Sequence, residues 1–453
     1  MKHEASAVIC GAGILGISAA YQLAVQHKMG NVLIVDERPP LTLTSDKSTE
    51  CYRNWWPGPG DGMVRLMNRS IDLMEEYARL SNNQFALNRR GYLYVTCEPE
   101  GIEALRNSAS EASMLGAGQI REHGEASSSY RPHLIEGFTG PEGADLLTHP
   151  SFIHRHFPYL SGEVTGALHV RRAGWLSGQT YGAWLVEQTR HAGLRLLWGH
   201  VSSIETSAGS ISGVFLEDGS EIKAPIFINA AGPHLASVGR MLGVEIPVIN
   251  EKHLKASFSD HLGAVGRTAP LVICADEQLL PWTEEERAVL AQDPEASWLL
   301  GSLPSGAHTR PEGGEDAQSI LVLWDIHNQA VEPTFPIAGD PMYAELAVRG
   351  LARILPGMRG YLDRIPRFIV DGGYYTKTLE NRPLACPLPL VGAYIIGAAS
   401  GYGIMAAAGL GELLAAHITG IDLPPYAGMF DLARYDDHAY RALLQDWGKS
   451  WQL

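Results

Sequence analysis

Three glycines near the start of the chain have the spacing of a phosphate-binding turn. Gly11, Gly13 and Gly16 follow the apolar run 8–10 and precede a helical segment that begins at Ile14. The first glycine permits a tight turn, the second lets a pyrophosphate approach the backbone, and the third lets helix and strand pack closely. Free N–H groups at the start of the helix then bind phosphates. The spacing therefore predicts a dinucleotide site.

An acidic residue follows twenty residues after the last of these glycines. Asp36 ends a second apolar strand, residues 32–35, where its carboxylate can accept hydrogen bonds from ribose hydroxyls. We assign Ile14, Leu15, Glu37 and Arg38 to the same predicted site. This pattern alone leaves open which dinucleotide binds.

The elements that must position this site are spread along the chain. Strand and helix patterns occur at both ends and in the middle, and they predict an α/β fold with one Rossmann-type doubly wound sheet that is discontinuous in sequence. The β-rich stretches between them predict a second, antiparallel-sheet substrate domain. We expect the dinucleotide-binding domain to comprise residues 1–85, 150–246 and 366–453, and the substrate domain residues 86–149 and 247–365. Residues 116–145 are predicted as loops, 218–219 as a hairpin turn and 297–300 as a strand.

Composition restricts the class of protein. A chain of 453 residues favours two domains, and a net charge of −15 without a basic stripe argues against a nucleic-acid partner. No apolar run approaches eighteen residues, so we expect no transmembrane segment. The first strand begins within about seven residues, which leaves no room for a secretory signal. Five scattered cysteines without C-x-x-C spacing predict reduced thiols in the cytoplasm, and the histidines have no metal-binding spacing.

Further stretches resemble the flavoprotein family that includes D-amino-acid oxidase, glycine oxidase, monomeric sarcosine oxidase and D-amino-acid dehydrogenase. Residues 201–204 are similar to the strand that meets the adenine, and 229–234 to the turn beside the pyrophosphate. Residues 371–378, 381–384 and 395–405 resemble the closing signature, in which a glycine-rich turn and a helix approach the flavin pyrimidine. The resemblance implies FAD, contacted by Val201, Ala231, Gly232, Gly401, Tyr402, Gly403, Ile404 and Met405.

The segment 44–53 matches the family loop that runs along the cofactor. Ser48 and Thr49 are candidate hydroxyl donors to the diphosphate, Lys47 is a candidate counter-charge, and Arg53 is expected near the flavin face. A solvated polar loop is the alternative. Trp55 and Trp56 are expected either to wall the substrate cavity or to belong to the core.

The resemblance implies hydride transfer from a carbon that bears nitrogen to flavin N5. Sarcosine oxidases attach the flavin through a cysteine whose place is held here by Gly373, so we expect non-covalent FAD. The arginine that binds the substrate carboxylate in glycine oxidase is replaced by Tyr375, and the sarcosine oxidase lysine by Met405 or a neighbour. Either another cation binds a carboxylate, or the substrate has none; the candidate cations are Arg53, Lys252, Lys255 and Lys377.

Four residues are the candidate catalytic set: Arg53, Tyr375, Lys255 and His253. His253 and Lys255 alternate along a predicted strand, so they share one face and Lys252 has the other. Solvent-facing positions on a sheet edge are the alternative. The sequence thus favours an FAD-dependent oxidoreductase for a small secondary amine or amino acid, with O₂ or a carrier as acceptor. An α-hydroxy-acid or polyol-phosphate dehydrogenase, a flavin-binding electron-transfer subunit and a nicotinamide dehydrogenase remain as alternatives, and the oligomeric state is not predicted.

Overall fold

A computed structural model describes residues 1–124, 129–132, 136–314, 316–326 and 328–445. Its strands, in chain order, are β1 (Lys2–Glu4), β2 (Ala7–Cys10), β3 (Val32–Asp36), β4 (Cys51–Arg53), β5 (Tyr92–Thr96), β6 (Ile120–His123), β7 (Ala144–Leu147), β8 (Gly166–Val170), β9 (Ala173–Trp175), β10 (Arg195–Trp198), β11 (Val201–Ser207), β12 (Ser210–Leu216), β13 (Glu221–Lys223), β14 (Phe227–Asn229), β15 (Ile249–Ser259), β16 (Leu271–Cys274), β17 (His308–Pro311), β18 (Ser319–Leu323), β19 (Ile369–Lys377), β20 (Leu384–Pro387) and β21 (Ala393–Gly397).

The α-helices are, in the same order, α1 (Ile14–Tyr21), α2 (Gly62–Leu80), α3 (Pro99–Ala112), α4 (Pro150–His156), α5 (Gly178–His191), α6 (Leu235–Met241), α7 (Glu284–Gln292), α8 (Tyr343–Leu351), α9 (Gly360–Asp363), α10 (Gly403–Thr419) and α11 (His438–Gln445). Within the described part of the chain, no helix is both long and apolar enough to cross a membrane.

The predicted doubly wound sheet is confirmed as a six-stranded sheet of order β10-β3-β2-β14-β21-β20. All neighbours are parallel except β20, which runs antiparallel to β21. The central strands are apolar and buried because helices cover both faces of a parallel sheet. Since parallel strands end at one edge, the residues that follow β2, β3, β14 and β21 meet there, although they come from distant parts of the chain.

The second sheet has nine strands, in the order β19-β15-β18-β17-β16-β5-β8-β7-β6. It is mixed rather than purely antiparallel, because β16 pairs parallel with β5 and β6 pairs parallel with β7. A four-stranded sheet, β1-β13-β12-β11, contains the predicted hairpin turn, and β4 pairs with β9 in a two-stranded ribbon.

Some local predictions were wrong. Residues 297–300 form a 3₁₀ helix after α7 instead of a strand, and β6 lies within the predicted loop 116–145; residues 125–128 and 133–135 of that loop lie outside the described residues. The domain boundaries stay a prediction. The last residues assigned to the dinucleotide-binding domain, 446–453, also lie outside the described residues. Strands β8 and β19 fall in ranges that we had assigned to the dinucleotide unit, yet they pair within the nine-stranded sheet.

The two faces of the nine-stranded sheet pack against different cores. Tyr92, Tyr94 and Ile273 pack in one hydrophobic cluster with α1, α2 and α10. Leu93 and Val272, which alternate with them, pack in another cluster with α8. One face of this sheet therefore lies against the dinucleotide unit, and its side chains are placed to wall a site between the sheets.

Candidate active site

The turn after β2 can be built only with glycine at two positions. Gly11 has φ +117°, and a Cβ there would overlap the carbonyl oxygen of Ala230. A Cβ at Gly16 would overlap the carbonyl oxygen of Gly11, so α1 packs directly on the turn. Gly13 differs, because its Cβ would lie 3.4 Å from the nearest atom, Ser45 Oγ. The space in front of Gly13 is thus open, as a phosphate cradle requires.

A continuous groove runs from this turn to the turn before α10. It consists of two cavities that share a wall of Gly13, Thr44, Ser45, Ala230, Gly232 and Pro233. Of the predicted cofactor residues, the first cavity is lined by Gly11, Gly13, Asp36, Glu37, Arg38, Val201, Ala231 and Gly232. The second is lined by Gly13, Ile14, Leu15, Ser48, Gly232, Gly401, Gly403 and Ile404, together with Tyr375.

Asp36 binds the backbone of the glycine turn. Its Oδ2 accepts a hydrogen bond of 2.6 Å from the Ala12 N–H, and its Oδ1 accepts one of 2.8 Å from the Arg38 N–H. Burial raises the pKa of Asp36. Next to it, a hydrogen bond from His200 lowers the pKa of Glu37. Asp36 therefore has a structural task in addition to its predicted contact with ribose.

Of the three cofactor residues predicted in the loop 44–49, Ser48 lines the second cavity, whereas Lys47 and Thr49 have other contacts. Lys47 Nζ lies 2.9 Å from Asp46 Oδ2 and 2.6 Å from Asp371 Oδ2, so its charge is used in joining the loop to β19 rather than offered to a diphosphate. The Thr49 carbonyl accepts a 2.8 Å hydrogen bond from Arg310 Nε. Neither residue lines the two cavities.

Ser45 is a groove residue that the sequence reasoning missed. The Ile14 N–H donates a 3.0 Å hydrogen bond to Ser45 Oγ, which places this hydroxyl at the first turn of α1. A hydroxyl in the same loop as Ser48 was the available signal, but the exact position depends on how the loop turns at residues 44–46.

At the other end of the groove, the turn after β21 is held by β19. Ala398 and Ser400 have φ values of +56° and +44°, and the Ser400 N–H donates a 2.9 Å hydrogen bond to the Thr376 carbonyl. A Cβ at Gly403 would find no atom closer than 3.9 Å, so the N-terminus of α10 faces open space. A Cβ at Gly401 would lie 2.5 Å from the Tyr375 ring. Tyr402 and Met405 face away: the Tyr402 hydroxyl donates to the Asn381 carbonyl, and Met405 is buried in the core.

These features fit FAD. Open space lies in front of glycines at both ends of one groove, and α1 and α10 both begin at residues that line it, so the positive ends of both helix dipoles favour a negatively charged group there. Gly373 has no side chain that could form a covalent link to the flavin, and a Cβ there would lie close to Thr44, at 3.0 Å from its Cα.

The register of the nine-stranded sheet collects the charged candidates on one face. Glu251 pairs with Tyr375 and His253 with Gly373, so these residues share a face with Lys255 and Lys377. Lys255 Nζ donates hydrogen bonds to the carbonyls of Asp46 (2.8 Å) and Ser48 (3.2 Å) in the cofactor loop. Burial lowers the pKa of Lys255.

Lys252 has the opposite face and is not positioned to bind a substrate carboxylate. It is half-buried, and its Nζ donates a 3.4 Å hydrogen bond to the Ala338 carbonyl. Lys377 lies 2.7 Å from Glu251 Oε2, so its charge is paired within the wall.

His253 is enclosed by Tyr375, which belongs to the predicted set, and by two carboxylates that the sequence did not identify, Asp325 and Glu251. Its Nδ1 lies 2.6 Å from Asp325 Oδ1, its Nε2 lies 3.4 Å from Glu251 Oε2, and its ring stacks on Tyr375 with centroids 3.8 Å apart. Burial opposes the charged form, but Asp325 and Glu251 outweigh it and raise the pKa of His253. Burial likewise opposes ionisation of Asp325, yet His253 holds the pKa of this carboxyl low.

Arg53 lies in a cage of aromatic side chains. It is 2% exposed, its guanidinium lies 4.7 Å from the ring centre of Trp56, and Nη1 donates a 2.8 Å hydrogen bond to the Tyr94 hydroxyl. Trp55 and Tyr92 complete the cage. Trp56 in turn contacts Tyr402 edge-on, so these two rings connect Arg53 with the flavin-end turn.

Comparisons with known proteins agree with this geometry. Residues 6–417 match the sequence model of the family described as "DAO: FAD dependent oxidoreductase". Mitochondrial dimethylglycine dehydrogenase of Rattus norvegicus is 23% identical over 450 residues, which cover 97% of this chain and 45% of the relative. The Homo sapiens protein is 23% identical over 449 residues, which cover 97% of this chain and 45% of that protein. The chain thus spans about half the length of these curated relatives.

Solved structures show the same fold. L-proline dehydrogenase from P. horikoshii superposes with a TM-score of 0.73 at 19% identity, covering 96% of this chain and 99% of that one. Glycine oxidase from Geobacillus kaustophilus gives 0.71 at 15% identity, with 96% and 98% coverage. Iminodiacetate oxidase from Chelativorans sp. BNC1 gives 0.69 at 18% identity, with 94% and 98% coverage.

Proposed function

This chain belongs to the DAO family of FAD-dependent oxidoreductases, and on that premise we propose that it oxidises the carbon–nitrogen bond of a small secondary amine or amino acid. Its relatives and structural neighbours include enzymes named for dimethylglycine, proline, glycine and iminodiacetate. We include in the proposal O₂ or a carrier as electron acceptor and a location in the cytoplasm.

The observation that carries the proposal is the buried wall at the flavin end of the groove. Tyr375 borders the second cavity and stands between the glycine turn and His253. Bound FAD supplies a hydride acceptor. Amine oxidation needs the substrate held close to that acceptor and shielded from bulk water, more than it needs a general base. Aromatic and paired ionic side chains provide such a setting.

Other groups of the chain have separate tasks in this scheme. With FAD bound, the N-terminus of α1 would hold the diphosphate and the N-terminus of α10 would hold the flavin pyrimidine. Tyr375 fixes one side of the substrate. If the substrate has a carboxylate, Arg53 and Lys255 are the two predicted cations to test for binding it. Both already donate hydrogen bonds within the protein, Arg53 to Tyr94 and Lys255 to carbonyls of the cofactor loop.

A hydroxy-acid dehydrogenase is the second candidate function, because a histidine lies in the wall of the site. Alcohol oxidation requires a group that accepts the hydroxyl proton. Each ring nitrogen of His253 faces a carboxylate instead, Asp325 on one side and Glu251 on the other. This arrangement favours the amine reaction.

An anaerobic reduction screen tests the proposal. The holoenzyme is mixed with secondary amines, with the matched N-methyl amino acids and with α-hydroxy acids, and loss of the flavin visible absorption is followed. We expect bleaching by members of the first two sets. Bleaching by hydroxy acids alone would establish the second candidate, and no bleaching by any compound would contradict both.

The role of Arg53 is tested by comparing two substitutions on a bleaching pair of substrates that differ only in a carboxylate. Arg53→Gln is expected to raise the apparent KM for the carboxylate substrate by about tenfold or more, since a charge-assisted contact is lost. Lys255→Gln makes the same test for Lys255, the alternative binding residue. The substitution that affects only the carboxylate substrate identifies the binding group, and equal effects on both substrates would exclude that residue.

A further inference from the structure

A buried ionic cluster lies behind Tyr375, on the sheet face that meets the cofactor loop. Glu251 and His253 belong to β15, Tyr375 and Lys377 to β19, and Asp325 follows the end of β18. Lys255 pairs with Leu323 across β15 and β18, so that Asp325, two residues further on, comes level with His253. The antiparallel register therefore brings these groups together.

The partners of His253 define how many protons the ring carries. Asp325 Oδ1 lies 2.6 Å from Nδ1, and Glu251 Oε2 lies 3.4 Å from Nε2. An ionised carboxylate only accepts hydrogen bonds, so a ring nitrogen that faces one must carry a proton. Glu251 also takes an ion pair with Lys377 at 2.7 Å, which keeps it charged. Both nitrogens of His253 are consequently donors.

Tyr375 transmits the position of this ring to the groove. The two rings stack with an interplanar angle of 15° and centroids 3.8 Å apart. On its other side, Tyr375 is close enough to the flavin-end turn that a Cβ at Gly401 would lie 2.5 Å from it. The order of contacts is thus Asp325, His253, Tyr375 and then the groove.

We propose that Asp325 is a positioning residue of the candidate site, which together with Glu251 keeps His253 doubly protonated and flat against Tyr375. The inference rests on the proposed function, because Tyr375 borders the flavin end of the groove. His253 then contributes a fixed positive charge and a rigid wall, and it does not take a proton from the substrate. His253, which we assigned from the sequence as a catalytic residue, is in this proposal a positioning residue like Asp325.

Other titratable groups near the ring come from several elements. Lys255 lies two residues along the same face of β15, and His308 on β17 interacts electrostatically with Asp325. Cys51 of β4 interacts with Tyr375 from the side of the dinucleotide unit. Because these neighbours also titrate, a change with pH can be attributed to His253 only by a signal that comes from its ring.

Nitrogen NMR of the holoenzyme labelled with ¹⁵N-histidine gives that signal. We expect the two ring nitrogens of His253, assigned by their loss in His253→Gln, to have imidazolium shifts at about pH 7.5, because the neighbouring carboxylates raise the pKa of the ring. In Asp325→Asn the ring is expected to titrate at a lower pH than in the wild-type protein. Asp371→Asn is the matched control, because Asp371 lies on the same face but pairs with Lys47, and it should leave the signals unchanged.

Kinetics of flavin reduction give a second readout. Asp325→Asn is expected to slow reduction by about tenfold or more at pH 8 and to recover at pH 6, where solvent restores the proton on His253. Asp371→Asn should stay within about twofold at both pH values. A merely structural role would not produce recovery at low pH.

Neutral imidazole signals from His253 in the wild-type protein at pH 7.5 would overturn the inference, as would an Asp325→Asn ring that titrates at the same pH as the wild-type ring. The wild-type measurement decides the matter even if the variant does not fold. It also stands if no amine reduces the flavin, so failure of the proposed function and failure of this inference are distinguishable.

Discussion

Replacing Gly13 by alanine separates cofactor binding from folding. Gly13 has φ −72° and ψ 173°, which any residue adopts, and an added Cβ would lie 3.4 Å from Ser45 Oγ. The protein alone therefore accommodates the methyl group, and the lower entropy of the unfolded chain is expected to stabilise it by about 0.4–1 kcal/mol. The same methyl group enters the cradle, where overpacking costs about 1–3 kcal/mol. The Kd for FAD should rise about 5- to 150-fold.

Two further substitutions provide the contrast. In Gly16→Ala the Cβ would overlap the carbonyl oxygen of Gly11, which is backbone and cannot move aside, so the fold itself should lose stability. In Gly30→Ala the Cβ would meet no atom within 4 Å, so FAD affinity should not change and stability should rise by the same unfolded-state effect of about 0.4–1 kcal/mol. Flavin fluorescence on dilution measures FAD release, and urea unfolding with and without added FAD measures stability. Unchanged affinity in Gly13→Ala, or destabilisation of its FAD-free form to the level of Gly16→Ala, would refute the assignment of Gly13 to the cradle.

Three other substitutions have defined outcomes. Burial raises the pKa of Glu50 to about 7, whereas the unfolded chain releases this proton near pH 4.5, so the free energy of unfolding should fall as the pH rises between these values. Glu50→Gln should therefore remove a cost of up to about 3 kcal/mol, measured by urea unfolding at pH 8. Glu380→Ala leaves Arg434, its buried partner at 2.8 Å, without this carboxylate, and thermal unfolding should show a loss of about 3–5 kcal/mol. Lys47→Met breaks a half-exposed pair with Asp371 and should cost less than about 1 kcal/mol with little change in FAD affinity; a large loss of affinity would restore its predicted role at the diphosphate.

Local patterns in the sequence were sufficient for much of the dinucleotide unit. The glycine spacing at Gly11–Gly16, the apolar strands and the C-terminal turn all depend on neighbours along the chain, and the sheet order confirms the fold class that they predicted. The strand at 120–123 was missed because Ile-Arg-Glu-His at the edge of a sheet has no apolar alternation. Conversely, Trp-Leu-Leu at 298–300 was apolar enough to predict a strand, although it packs as a short helical turn.

Pairing across strands could not be inferred from one sequence. The partners of His253 depend on the register of β15 with β18 and β19, and a slip of one residue would send Asp325 to the other face. The same holds for Lys47, which we predicted to provide a counter-charge for the diphosphate and which forms an ion pair with Asp371 in the structure. The residue types in the sequence were sufficient to select candidate site residues. The role of each residue depends on contacts between segments that are distant along the chain.

The separation of the two halves of the groove along the chain has a consequence for biosynthesis. Ser18 on α1 bonds the Ala407 carbonyl on α10, a contact that spans 389 residues. A growing chain cannot form this pocket until the turn at Gly401–Gly403 has been synthesised, about 390 residues after the first glycine turn. Formation of such long-range contacts is slow, and until then the early strands expose unpaired edges and apolar faces. The supply of FAD and of chaperones during that interval should therefore affect the yield of active protein.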